Sequence, residues 1–368
     1  MELPQLDNYL DLLVNDTPLI DVRAPVEFEK GAFPLAKNLP LMNDEERHLV
    51  GIRYKEQGQE KAIQLGQELV ADNVKHARVN DWAKFTQQYP QGALYCFRGG
   101  LRSKISQQWI YDETGVMYPR INGGYKALRN FLINELESAV QTIQPLVLGG
   151  RTGTGKTLLL NKIEQQIDLE HIYGHRGSAF GKHAYPQPGQ IDIENRLSIA
   201  LLKHRSNAVN KLVFEDEASN IGSRQLPKPL FAAMSQAPLI MLDEEIDDRV
   251  NNVYQEYIID ALLEHQTLNG KEQGFNNWSE NLTTAMSKIE RRLGGERYKE
   301  LQTILSNALN EQRSTNHSEA HEEWIRVLLV DYYDPMYDYQ LEKKTERIAF
   351  RGNTKSILKY LKDQYDIS

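Results

Sequence analysis

At 368 residues, 40% of them apolar and 26% charged, the chain is long enough to build two ordinary globular cores. A formal charge of −8 excludes wholesale coating of a polyanion but not local basic patches, because nucleic-acid contacts depend on where Lys and Arg sit. A single cysteine excludes an intramolecular disulfide framework, the acidic N-terminus carries no apolar signal core, and no apolar run approaches the roughly 20 residues that cross a bilayer. A cytoplasmic protein with no membrane partner is therefore expected.

In chain order, "TPLIDVR" (17–23) is an apolar run ending on an acid, as a buried strand does before a loop. "GALYCF" (92–97) is a second such run and carries Cys96, the single cysteine, near its end. Between them, residues 44–70 and 79–89 have helical patterning. Strands alternating with helices imply a parallel sheet with helices packed around it. Residues 124–143 predict a helical bridge, and "QPLVLGGRTGTGKTLLLNKIEQQI" (144–167) reads as strand, glycine-rich turn and helix. Two more apolar runs follow, at 210–217 and 237–245, and from Asp247 the pattern is almost wholly helical.

"GRTGTGKT" (150–157) satisfies G-x-x-x-x-G-K-[ST] between a predicted strand and helix, the context a phosphate-binding loop requires. In such a loop Gly150, Gly153 and Gly155 let the backbone turn its amides around phosphate oxygens, with Arg151, Thr152 and Thr154 between them. Lys156 adds a point charge, and Thr157 can bind a divalent cation such as Mg2+. The metal requirement stays open. An acid should follow an apolar strand, and both Asp216 and Asp243 qualify; Glu215 and Glu217 flank the first, as site residues or as helix caps.

"YCFRGGLRS" (95–103) sets Cys96 before Arg98, Gly99, Gly100 and Arg102. Backbone amides aimed at the sulfur, with either arginine nearby, favour a thiolate, although a buried inert thiol is the alternative. The N-terminal segment resembles a rhodanese domain over residues 1–128. The likeness rests on "LIDVRAPVEFEKGAFPLAKNLP" (19–40), with Gly31, Pro34, Ala36, Asn38 and Pro40 as the signature, and on the cysteine loop. Cys96 and Arg102 stand six apart, one more than sulfur-carrying rhodanese loops use. A wider cradle suits a tetrahedral, phosphate-like group. No His precedes Cys96 and no acid sits inside the loop to protonate a leaving alcohol, which disfavours phosphatase chemistry.

A rhodanese-like domain (1–128), a helical linker (129–143), a P-loop NTPase-like parallel-sheet domain (144–310) and a helical C-terminal region (311–368) together make an α/β chain. In that order they resemble the bacterial tRNA 2-selenouridine synthase family. "HRGSAFG" (175–181), "FEDEASNIG" (214–222) and "YYDPMYDYQL" (332–341) are further stretches of likeness. The resemblance implies a transferase that replaces the sulfur of wobble 2-thiouridine in tRNA by selenium from selenophosphate, through an S-geranyl intermediate made from geranyl diphosphate. It implies no tightly bound cofactor, contact with the tRNA anticodon region, and a selenophosphate-supplying enzyme as a candidate partner. Cys96 would carry selenium as a thio-selenide or assist direct attack by selenophosphate.

An anticodon base must be splayed out and stacked, so basic and aromatic residues together are candidates for tRNA contact. His175, Arg176, Ser178, Phe180 and Lys182 in the glycine-rich segment qualify, with an ordinary polar loop as the alternative. Arg291 and Arg292 either meet tRNA phosphates or complete a helix dipole. The tyrosines of 332–341 could stack bases or pack the last domain. A P-loop kinase or ATPase with a regulatory rhodanese-like module is the competing reading.

Overall fold

The structure is a computed structural model in which residues 2–368 are described. The chain divides into two compact units, one running up to Ala139 and taking in Gly189–Asn207, the other comprising Val140–Pro188 and Ala208–Ser368. This division departs from the expected ranges in three places. The expected linker 129–143 is no separate segment, since the units meet at Ala139 and Val140 within the helix Gly124–Thr142. The helix Gln190–Ser206 lies inside the expected 144–310 stretch but folds with the first unit, and residues 311–368 complete the second unit instead of standing apart.

In the first unit, strands β1 (Gln5–Leu6), β2 (Leu19–Asp21), β3 (Ala36–Asn38), β4 (Ala93–Tyr95) and β5 (Arg120–Ile121) form a parallel sheet in the order β1-β5-β4-β2-β3. Side chains alternate across a strand, so each short apolar run feeds two cores. Leu19, Ala93 and Tyr95 face one side, against Leu128, Leu132, Ile199 and Leu202. Ile20, Leu94 and Cys96 face the other, against Trp82, Phe85 and Ile110. Both faces are thus covered, as an all-parallel sheet requires. The expected helices occur at Asp44–Leu69, kinked at Gly58, and at Asp72–Gln88. The signature residue Asn38 braces the backbone. Its side-chain amide donates to the carbonyls of Asp21 (3.1 Å) and Arg23 (2.9 Å), pinning the turn after β2.

In the second unit, β6 (Gln144–Gly150), β7 (Gln166–Ile167), β8 (Lys211–Glu215), β9 (Asn220–Ile221), β10 (Arg224–Gln225), β11 (Leu239–Leu242) and β12 (Ile348–Gly352) follow in turn. β9 and β10 pair as a small hairpin, and the rest form a parallel sheet in the order β12-β11-β6-β8-β7. β12 corrects the expectation of a wholly helical C-terminal region. Residues 348–352 alternate half-buried and exposed positions, the edge-strand pattern, and are too short for periodicity alone to identify. A helical core packs around Trp278 and Trp324, with helices Lys271–Leu293, Gly295–Thr315 and His321–Leu328. Two π-helical stretches, Gln255–Asp260 and Leu329–Tyr333, interrupt its helices; such widened turns re-aim side chains at functional sites. No helix among the described residues is long and apolar enough to cross a membrane.

Candidate functional site

The glycine-rich loop sits where the central strand β6 ends. Gly153 (φ +82°) and Gly155 (φ +76°) occupy the left-handed region that only glycine adopts without strain. Its carbonyls are held by side chains: Lys156 Nζ donates to Gly150 O (2.9 Å), Arg249 Nε to Thr152 O (3.0 Å) and Asn252 Nδ2 to Gly153 O (2.9 Å). Arg249, only 3% exposed, is fixed in turn by both oxygens of Asp334. The helix after the loop is short, Lys156–Leu160, rather than reaching 167 as expected, because the chain turns at Asn161–Ile163 and returns as β7.

The segment 332–341 closes on this loop. Tyr337 Oη accepts the Gly150 amide (2.8 Å), and Asp338 takes Arg151 through both oxygens (2.7–3.0 Å). Tyr332 and Tyr333 pack in the helical core. The tyrosines therefore divide between packing and the loop itself. Lys344 Nζ holds both oxygens of Asp216 at 2.7 Å.

β8 lies beside β6, so the acids at its end arrive at the loop. Glu215 Oε1 accepts from Thr157 Oγ1 at 3.4 Å, and Glu170 Oε2 lies 3.3 Å from the same hydroxyl. Glu215 also accepts the Glu170 amide (3.0 Å). Asp243, the other expected acid, is half exposed and faces Arg351 instead. Burial, followed by the charges of Glu215 and Glu217, pushes the Glu170 carboxyl up to about 9. Burial lifts Glu215 to about 8, with Asp168 adding to it. Burial also raises Glu217 to about 7, against the opposing pull of Lys156. At neutral pH Glu170 therefore holds its proton, while Glu217 is near the midpoint of its titration. Among the described residues no group of three or more His, Cys, Asp or Glu side chains is arranged to hold a metal ion.

The loop and the acids Glu170, Asp216 and Glu217 line one cavity of about 690 Å³. Gly150, Thr152, Gly153, Gly155, Lys156 and Thr157 form its phosphate-binding wall, and Glu170, Asp216 and Glu217 stand beside it. Leu158, Phe231, Met234 and Met336 supply apolar lining. Of the residues expected to meet tRNA, Arg176 and Ser178 line this cavity, with Arg176 drawn to Glu256 (3.3 Å) and Glu264 (3.5 Å). His175 is half-buried nearby in sequence. Phe180 is turned inward and packs on Trp324, and Lys182 is exposed. Arg291 and Arg292 are exposed on the last turn of the helix Lys271–Leu293, where they also complement its dipole.

In the first unit Cys96 follows β4 directly and is 3% exposed. Its thiol donates to Ser103 Oγ (3.2 Å), which donates to Gly100 O (3.0 Å). The expected arginine near the sulfur is otherwise engaged: Arg102 pairs with Glu27 at 2.5 and 3.1 Å, and Arg98 is exposed. Gly99 (φ +64°) is anchored by Arg120, which donates to its carbonyl (2.8 Å). The amides of Tyr125 and Lys126 hold the carbonyls of Cys96 (2.9 Å) and Phe97 (3.0 Å). Gly124 (φ +59°) lies so close that a methyl would collide with Cys96 O and the Gly99 amide. Gly124→Ala is expected to cost about 1–3 kcal/mol, since neither backbone atom can yield and alanine resists this conformation. A thermal melt checks this as a Tm several degrees below wild type. Ser103, Glu27 and Gly124 have no signal in the sequence, because each acts through a partner that only folding brings near.

A glycine-rich loop on the central strand of a parallel sheet, with a lysine, a hydroxyl and an acid from the neighbouring strand, defines the second unit as a P-loop fold. Residues 143–367 match the family described as "tRNA 2-selenouridine synthase AAA domain". Along nearly its whole length the chain is similar to curated proteins called tRNA 2-selenouridine synthase. That of Marinobacter nauticus is 48% identical, with 98% of each chain covered. That of Bordetella petrii is 49% identical over 97% of this chain and 96% of the relative, and that of a Sulfurovum species 48% over 98% and 99%. The chain belongs to the tRNA 2-selenouridine synthase family.

Proposed function

We propose that this protein is a transferase acting on wobble 2-thiouridine of tRNA, exchanging sulfur for selenium in two steps. The cavity at 150–157 binds geranyl diphosphate, and the first unit, as a rhodanese-like domain, serves the selenium step through the Cys96 loop. The observation that carries this reading is the dual lining of the cavity. A phosphate-binding wall around Lys156 meets apolar side chains of Leu158, Phe231, Met234 and Met336, which suits a diphosphate bearing a hydrocarbon tail.

A thiocarbonyl sulfur leaves C2 poorly. Alkylating it creates a thiolate leaving group and activates C2 for attack. Lys156 would stabilise the departing diphosphate, whose charge grows as the C1–O bond breaks. Selenophosphate already holds selenium at the oxidation level of the product. Its direct attack on C2, with loss of geranylthiolate and later hydrolysis of the P–Se bond, balances without an added oxidant; a thio-selenide on Cys96 needs one. The buried, hydrogen-bonded thiol fits the assisting role, in which the loop holds selenophosphate.

Mass spectrometry of nucleosides tests the reading. Wild-type protein with 2-thiouridine RNA and geranyl diphosphate is expected to yield S-geranyl nucleoside, and 2-selenouridine once selenophosphate is added. Unchanged 2-thiouridine, with ATP hydrolysed in a parallel assay, would favour the kinase or ATPase reading instead.

A further inference from the structure

Two carboxyl groups stand beside the phosphate-binding wall. Glu170 and Glu217 line the cavity together with Lys156. Both are pressed against Gly177 (φ +64°): Oε1 of each lies within the space a methyl there would need. The pair is thus held by a backbone that leaves it no room to swing away on that side. Glu217 faces Lys156 from the loop, and Asp216 beside it is neutralised by Lys344. Glu215 lies beneath, on Thr157 and the Glu170 amide.

The chemistry of the first step asks for a proton acceptor at this place. When the thiocarbonyl sulfur of 2-thiouracil forms its bond to C1 of the prenyl diphosphate, the C1–O electron pair leaves with the diphosphate. The ring becomes neutral again only if N3 gives up its proton, the N3–H electrons closing the N3=C2 double bond. The acceptor must stand near the diphosphate, because the reacting carbon is bonded to it.

We propose that Glu217 is the general base of the alkylation step, taking the N3 proton, with Glu170, packed beside it at Gly177, holding its carboxyl in place. This rests on the reading that geranyl diphosphate binds at 150–157.

Single-turnover S-geranylation of a 2-thiouridine RNA is measured for wild type, Glu217→Gln and Glu217→Ala, with geranyl diphosphate binding followed by equilibrium dialysis. Glutamine keeps the size but cannot take a proton. The Glu217→Gln rate is expected to fall roughly 100-fold or more, while diphosphate binding stays within about threefold. Formate added to Glu217→Ala is expected to raise its rate, which a purely structural role would not allow. The proposal is overturned by a Glu217→Gln rate within about threefold of wild type, by a binding loss that accounts for the fall, or by a Glu217→Ala variant indifferent to formate. A wild type that forms no S-geranyl nucleoside overturns the underlying reading and this proposal together. A working wild type with an unimpaired Glu217→Gln variant overturns the proposal alone.

Discussion

Lys156→Ala is expected to lower S-geranylation by roughly 100- to 1,000-fold, the range seen when one preorganised donor is withdrawn from a developing oxyanion. Lys156 shares the glycine loop with one other cation, Arg151, which Asp338 holds; its own Nζ waits on Gly150 O at 2.9 Å. Entry of a diphosphate lets the ammonium exchange that carbonyl for charged oxygens, a stronger partner. Its removal has a second effect of the same sign. Lys156 holds Glu217 and Glu170 down against the burial that raises them, so alanine pushes both carboxyls further up and depletes the carboxylate form. Selenation should vanish with the intermediate that feeds it. Nucleoside mass spectrometry of the alanine variant checks both products, and wild-type amounts of either would remove the loop from the reaction.

Cys96→Ala is expected to do the opposite to the intermediate: S-geranyl nucleoside accumulates while 2-selenouridine falls roughly 10- to 150-fold. That range corresponds to losing one hydrogen bond of about 1.5–3 kcal/mol to a charged group. The sulfur is 3% exposed and bonded to Ser103, so alanine removes a donor without opening the loop, whose carbonyls stay on Tyr125 and Lys126. Intact-protein mass spectrometry of wild type after exposure to selenophosphate, with and without a two-electron oxidant, separates the two routes. An unmodified Cys96 accords with direct attack, whereas a gain of one selenium atom would restore the thio-selenide. If the alanine variant makes selenouridine at the wild-type rate, the loop has no part in the selenium step.

What can be read from the sequence is what lies contiguous in it. The phosphate loop is eight residues in a row, each dictated by local geometry, and β2, β4, β6, β8 and β11 announce themselves as apolar runs between turn signals. Glu170 gives no such signal. It follows the N-cap Asp168 in a short helix and gains meaning only because β7 returns the chain beside β8. Tyr337 is visible as one of several tyrosines, but its bond to the Gly150 amide joins residues 187 apart. Phe180 misleads in the other direction. Set between alanine and glycine it looks available for stacking, yet Trp324 claims it from a distant helix. Arg102 likewise is matched to the sulfur by spacing alone, when Glu27 competes for its guanidinium.

The helix Gln190–Ser206 gives the order of synthesis a physical consequence. Ile199 and Leu202 help bury the face of the first sheet that carries Leu19 and Tyr95, yet they leave the ribosome only after the whole phosphate loop has been made. While residues 140–188 are being translated, the emerging chain has Leu128 and Leu132 on that sheet face but lacks Ile199 and Leu202, a partly uncovered apolar surface of the kind that recruits chaperones or aggregates. A fragment ending at residue 139 holds the cysteine loop but stays in that partly covered condition permanently. Cutting the gene where the sequence pattern changes would therefore yield a sticky half-core rather than a free-standing module.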